Sequence, residues 1–435
     1  MKWLIENVAY IDGLHQTYVE KGYMLFNAGT IEQIGVGMAP HCDASYERIN
    51  GENRLLLPGF INTHGHAAMS LLRGYADDLP LHAWLNDMIW PAEAVLTPKD
   101  IEIGTQLAMM EMIETGTTTF TDMYASMDRV AEATIEAGMR AVLGRGLIGL
   151  DDSSLDKLRE TEMFIQTYDR AGDGRIRTTL APHAPYTCPP DYLKHVVKVA
   201  ERIDVPLQIH IAETAKEVTD SLAAYNLTPV ESLYKSGLFE HRVIGAHCVH
   251  LTDHDIELLA QNHIHVAHNP GSNLKLGSGI APLAKLLQHG VVVGLGTDGA
   301  ASNNKLDLYE ELRLVALLHK GVEQDATVID AHTALRMATS EGAKTLFLED
   351  GLGTLIPGAP ADFQLIDISG PRYYPRHNLL SHAVYSSHGG DVTDVFVAGK
   401  ALLRNRQLQT LDKEKILYEA EEAVKKFPVH QRLKV

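Results

Sequence analysis

Cysteine is scarce in this chain. Its three cysteines, Cys42, Cys188 and Cys248, stand far apart and form no C-x-x-C pair. That excludes a disulfide framework and a cysteine-rich zinc site, and it suits a reducing cytosol. No run approaches the ~20 apolar residues of a membrane helix. The opening MKWLIENVAYIDG is broken by Glu6 and Asp12, so it lacks the apolar centre of a signal peptide. A cytoplasmic location is therefore expected. Positive charge is short as well: 38 Lys and Arg face 56 Asp and Glu, a net charge of −18. Such a chain is a poor partner for nucleic acid or an anionic membrane. No G-x-G-x-x-G follows the first apolar strand, and there is no fixed-period repeat or low-complexity linker. Histidine, by contrast, is plentiful, at 22 in 435 residues. The excess hints at metal or proton chemistry, although any single one is by default a packed or solvated imidazole. With 45% apolar and 22% charged residues, the chain can bury a full core.

Three stretches differ in texture. Residues 1–56 read as short strands, among them Leu4-Ile5-Glu6-Asn7-Val8 and Tyr23-Met24-Leu25-Phe26, separated by Gly and Asn turns. Residues 353–435 return to that texture, with Ala361-Asp362-Phe363-Gln364-Leu365 and Asp394-Val395-Phe396-Val397 as strands and a charged helix near 412–426. Neither end is apolar enough for a core of its own. Pairing both into one small β-sandwich domain resolves this. In residues 57–352, apolar runs at 58–66, 117–123, 141–146, 178–183, 206–213, 243–249, 263–268 and 291–298 alternate with helical patterns. Thr97-Pro98 marks one helix start, Thr252-x-x-Asp255 resembles a capping box, and Gly116, Gly138, Gly237 and Gly290 fall where helices should end. Such alternation implies a parallel sheet covered on both faces, and eight units favour an α/β fold of the (β/α)8 TIM-barrel kind.

In such barrels chemistry gathers at the C-terminal ends of the strands. Here the apolar runs end in titratable residues: His64-Gly65-His66, His183, His210 with Glu213, His247 and Asp298. His-x-His alone is weak, and His263-x-His265 is a second instance that starts a run and reads as structural. Residues i and i+2 on a strand face the same way, so His64 and His66 can both point into the barrel mouth. Three imidazoles and a carboxylate, His64, His66, His210 and Asp298, suit one divalent ion, with Zn²⁺ expected. No lysine ends the fourth run to bridge a second metal.

Pro58-Gly59-Phe60-Ile61-Asn62-Thr63-His64-Gly65-His66 resembles the first-strand signature of the amidohydrolase superfamily. Gly353-Thr354-Leu355-Ile356-Pro357-Gly358-Ala359-Pro360-Ala361-Asp362 resembles its exit from barrel to small domain. Further segments, among them His210-Ile211-Ala212-Glu213-Thr214 and Gly296-Thr297-Asp298-Gly299, look most like the 5′-methylthioadenosine/S-adenosylhomocysteine deaminases, over about residues 1–425. Gly65 departs from the Thr that the family usually carries there but leaves both ligands in place. The resemblance implies hydrolytic deamination of an adenine ring by a metal-activated hydroxide. Asp298 would move the proton of the attacking water, Glu213 would protonate the ring, and His247 would orient the attacking oxygen, with His250 the weaker candidate. It also implies substrate contacts: Glu93 on the ribose hydroxyls, Trp84 as an apolar wall, His183 on the nucleoside, and Arg145 toward a homocysteine carboxylate. The expected partner is a purine nucleoside; association between copies is left open. Other ring hydrolases of the branch, acting on guanine, pterin or triazine, are the alternative, and a non-catalytic binding protein on the same scaffold is a further one. Glu93 and Trp84 favour a ribosylated substrate.

Overall fold

The computed structural model describes residues 1–348 and 351–428. Barrel strands β1 (Phe60–Asn62), β2 (Thr117–Tyr124), β3 (Arg140–Leu147), β4 (Ile176–Pro182), β5 (Leu207–Ile211), β6 (Val243–His247), β7 (His265–His268) and β8 (Val293–Leu295) form one sheet in chain order. Every resolved pairing is parallel. Thr63 N–H donates to Leu295 O at 3.1 Å, which brings the first strand against the last and draws the ring shut. Near-continuous apolar strands suit this arrangement, because helices cover the outside and side chains fill the inside. Ile61, Val142, Ile244 and Ala267 plug the barrel floor against Ala343 and Leu346.

Helix boundaries follow local chemistry. Thr97 caps helix Pro98–Glu114, its hydroxyl accepting from Asp100 N–H while the Asp100 carboxylate accepts from Thr97 N–H. Thr252 and Asp255 repeat this at Asp253–Gln261. Gly138 takes φ +86° after helix Met127–Ala137, a left-handed stop that costs glycine little.

Both chain ends build a second, nine-stranded sheet. Its order is Gln407–Leu408, Lys400–Arg404, Val392–Val397, Phe363–Asp367, Arg54–Pro58, Lys2–Tyr10, Val19–Asn27 and Thr30–Val36, with Tyr46–Asn50 also paired to Lys2–Tyr10. It is one largely antiparallel sheet curled on itself. Phe26 meets Phe363 and Phe396 at ring distances of 5.0 and 5.5 Å although three strands separate the outermost of these rings. The apolar run 58–66 is divided: Arg54–Pro58 belongs to this second sheet, antiparallel to Phe363–Asp367, and only Phe60–Asn62 enters the barrel. The terminal helix Lys413–Ala423 docks on barrel helix Pro98–Glu114. Lys413 pairs with Glu114 at 2.7 Å, and Ala420, Ala423 and Phe427 join an apolar cluster with Leu72, Trp84 and Ile89. No described helix is long and apolar enough to cross a membrane.

Candidate metal centre and cavity

His64 and His66 lie past the end of β1, so a loop rather than strand alternation directs them. His66 Nδ1 donates to Met123 O at 2.7 Å, and His210 Nδ1 donates to His183 O at 2.6 Å. With Nδ1 committed, each ring turns a bare Nε2 inward. The two Nε2 atoms are 3.4 Å apart. Asp298 Oδ1 lies 3.3 Å from His66 Nε2 and 3.6 Å from His64 Nε2. Ligands about 2.1 Å from a tetrahedral zinc are roughly 3.4 Å from one another, so these spacings match a coordination shell. His64 Nε2 is buried with no hydrogen-bond partner, a cost a ligand position removes. The residues present thus fit one metal ion, which His64, His66, His210 and Asp298 would hold; His64, His210 and His247 also lie close enough together to share one.

Electrostatics agree with that reading. Burial pushes His64 and His210 well below the usual imidazole range, so they stay neutral as ligands must. Burial would raise the Asp298 carboxyl, but His66, His247, His64 and the Ser272 hydroxyl hold it far below the carboxylate range. Asp298 Oδ2 accepts from Ser272 and Ser302 at 2.6 and 2.9 Å, and Oδ1 from Gly299 N–H at 2.7 Å. His247 donates from Nδ1 to Asn273 Oδ1 at 2.8 Å. Its Nε2 stands 4.0 Å from Asp298 and 3.9 Å from Glu213, whose charges outweigh burial and raise it. Burial raises the Glu213 carboxyl, whose Oε1 accepts from Ser278 at 3.4 Å.

A cavity of about 310 Å³ opens above this cluster, at the small end of the range for small-molecule sites. His66, His210, Asp298, His247, Glu213, His183, Glu93 and Trp84 all line it. His183 donates or accepts at Thr187 Oγ1 (2.9 Å) and is driven down to about 4 by burial and by His66 and His247. Glu93 accepts from Tyr124 Oη at 2.5 Å; burial pushes its carboxyl up to about 7 against that bond. Trp84 is 4% exposed and ties its indole N–H to Ala76 O.

Arg145 stands elsewhere. It pairs with Glu160 at 2.9 Å in a separate cleft between helices Met127–Ala137 and Asp156–Tyr168. Strand alternation explains the correction: Gly146 on β3 faces the cavity, so its neighbour Arg145 faces out. His265 begins β7 at the barrel floor, stacked on Phe347 at 4.2 Å, as a structural histidine should. His250 braces the site from behind, donating to Ser278 O at 2.6 Å. Sequence reading assigns no role to Tyr124, Ser272, Ser278 or Ser302, although Ser272 and Ser302 fall in segments that carry the resemblance. Tyr124 was within reach, since β2 runs one residue past the apolar stretch at 117–123 and ends on it. Ser272 and Ser302 lie on the short helices Pro270–Lys275 and Ala300–Asn303 and Ser278 on a loop, and only the fold determines their approach.

Residues 55–402 match the profile of the amidohydrolase family. A 5-methylthioadenosine/S-adenosylhomocysteine deaminase of Syntrophomonas wolfei is 46% identical over 98% of this chain and 99% of its own. An adenosine deaminase from Xanthomonas campestris, solved with bound zinc, superposes with a TM-score of 0.92 at 36% identity, covering 97% of each chain. An atrazine chlorohydrolase from Arthrobacter aurescens complexed with zinc gives 0.89 at 25% identity, over 97% of this chain and 99% of that one.

Proposed function

We propose that this chain, which belongs to the amidohydrolase family, hydrolytically deaminates the adenine ring of 5′-methylthioadenosine, S-adenosylhomocysteine or a similar nucleoside. The convergence of the His/Asp cluster, Glu213 and Glu93 on one cavity carries the reading. The deaminase names of the relatives support it. We take the metal to be zinc, in keeping with the imidazole and carboxylate donors and with the zinc in two similar solved structures. Bound there, the ion supplies Lewis acidity, so that water attacks near neutral pH.

The protein's own groups do the rest. Glu93 accepts from the two ribose hydroxyls as a carboxylate readily does, and the wall that includes Trp84 and Leu85 excludes water. His183, neutral at physiological pH, hydrogen-bonds the nucleoside. Glu213, whose carboxyl burial shifts upward, delivers a proton to ring N1 as C6 is attacked. Asp298 accepts one proton from the attacking water and passes it to the departing amine, while the water's other proton restores the one Glu213 gave up. His247, between Glu213 and Asp298, orients the attacking oxygen. The products are the 6-oxo purine nucleoside and ammonia. Three free thiols accord with a cytoplasmic setting.

The test is ammonia release from zinc-loaded protein with 5′-methylthioadenosine, S-adenosylhomocysteine, adenosine, guanine and cytosine. We expect the 5′-thio nucleosides to turn over well above adenosine. Activity confined to a free base removes Glu93 from ribose recognition. Glu213→Gln should keep its metal and lose at least about hundredfold in kcat; near-wild-type turnover removes Glu213 from the reaction.

A further inference from the structure

Glu217 is a buried carboxylate that this mechanism does not use. It is 3% exposed, and no cationic side chain among the described residues pairs with it. It occupies the third position of helix Ala215–Tyr225, whose cap is Thr214. The same position in this protein shows what such a residue ordinarily does. In helices Pro98–Glu114, Pro229–Lys235 and Asp253–Gln261 the third-position carboxylate reaches back to the N–H of its own cap residue, closing a capping box. At Ala215–Tyr225 half of that box is present: Thr214 Oγ1 accepts from Glu217 N–H at 3.2 Å. The other half is redirected. The Glu217 carboxylate passes over Thr214 and takes the N–H groups of Ala212 and Glu213, at 3.1 and 2.9 Å.

Those two residues form the turn that carries Glu213 from the end of β5 into the cavity. The turn is strained: Ala212 sits at φ +49°, a left-handed conformation uncommon for a residue with a side chain. Its other edge is already held, because Ala212 O accepts from Val249 and His250 N–H at 3.2 and 2.9 Å. Without Glu217 both N–H groups would be buried without these partners, and the strain would be opposed from one side only.

We propose that Glu217 is a positioning residue for the reaction: its carboxylate clamps the Ala212–Glu213 turn and so fixes where the Glu213 carboxyl meets the ring. This rests on the reading of Glu213 as the ring acid. A misplacement of about 1 Å at such a group costs on the order of a hundredfold in rate.

The experiment compares Glu217→Ala and Glu217→Gln with Glu231→Ala, which removes an ordinary capping-box carboxylate remote from the cavity. For each, metal content, melting temperature, kcat and KM are measured. We expect Glu217→Ala to keep its metal, to melt lower by an amount similar to Glu231→Ala, and to lose about tenfold to hundredfold in kcat with KM within about twofold. Glu217→Gln, which keeps one acceptor oxygen, should fall between Glu217→Ala and the parent. If both Glu217 variants match Glu231→Ala in melting and the parent in kcat, the carboxylate is only a helix cap and the proposal fails. Should Glu217→Ala not fold, Glu217→Gln carries the same comparison. Full turnover by Glu213→Gln would overturn the acid role itself; loss there with unchanged Glu217 variants overturns the clamp alone.

Discussion

Glu93 shows how one residue's surroundings set its chemistry. Burial raises its carboxyl to about 7, while the Tyr124 hydroxyl pulls the other way. Ribose hydroxyls need the ionised form, so protonation as pH falls through about 7 should weaken ribonucleoside capture. We expect kcat/KM to decline toward tenfold per pH unit below that point, and the limb to disappear in Glu93→Gln or with a nucleoside lacking the 2′ and 3′ hydroxyls. An identical limb in all three cases would assign it to another group. Strain marks other site residues. Ala212, His247, Cys248 and Asp298 all take positive φ, between +49° and +71°, where the chain turns inward past strand ends. Each such conformation costs about 1–3 kcal/mol and persists only because its neighbours over-determine it. No propensity argument marks these positions, because the strain comes from contacts across the barrel.

Between elements, the segment that presents Trp84 and Glu93 departs from regular winding. Glu93 follows Trp84 by nine positions, and at 3.6 residues per turn such residues lie on opposite faces. Both line the cavity because Trp84–Ile89 winds as a π-helical turn, with Trp90 N–H bonded to Leu85 O. Pro91 supplies a reason: it has no N–H to donate and its ring displaces the carbonyl one turn back. Replacing it removes that obstacle to α-helical winding. Pro91→Ala should therefore raise KM for ribonucleosides about tenfold while metal content stays the same; an unchanged KM would show that the winding is held by packing of Trp84 and Ile89. A proline in an apolar stretch was visible in the sequence, but its consequence depends on the apolar cluster that holds the turn.

The whole molecule couples the second sheet to the barrel at a narrow junction. The chain passes from Pro58 to Phe60 through Gly59, where any Cβ would stand 2.2 Å from the Thr118 side chain. Beside it, Arg140 at the start of β3 pairs with Asp362, which directly precedes strand Phe363–Asp367 of the second sheet, at 2.6 and 3.2 Å, and Asp362 is nearly fully buried. Removing one partner of a buried pair leaves an uncompensated charge. Asp362→Asn should thus lower stability by about 3 kcal/mol, read as a shift in the denaturant midpoint, with KM unchanged because the junction lies at the barrel floor. A loss below about 1 kcal/mol would show that the backbone pairing of Arg54–Pro58 with Phe363–Asp367 carries the junction.

The eight barrel units and the pairing of both chain ends were legible because each rests on short-range pattern, and so was the gathering of titratable residues at the strand ends. Apolar runs with period-specific spacing must be buried, and titratable residues ending such runs are costly unless they converge on something. Local capping chemistry at Thr97 and Thr252 was legible for the same reason. The direction of Arg145 was not, because one step of strand register reverses a side chain and only the pairing of β2, β3 and β4 sets that step. Nor was the split of the run at 58–66 between two sheets, since its apolar residues suit either. Tyr124 on Glu93, Ser278 on Glu213 and the redirected carboxylate of Glu217 belong to the tertiary structure alone. Each is a contact between groups whose distance is fixed by closure of the barrel, and no local rule carries that distance.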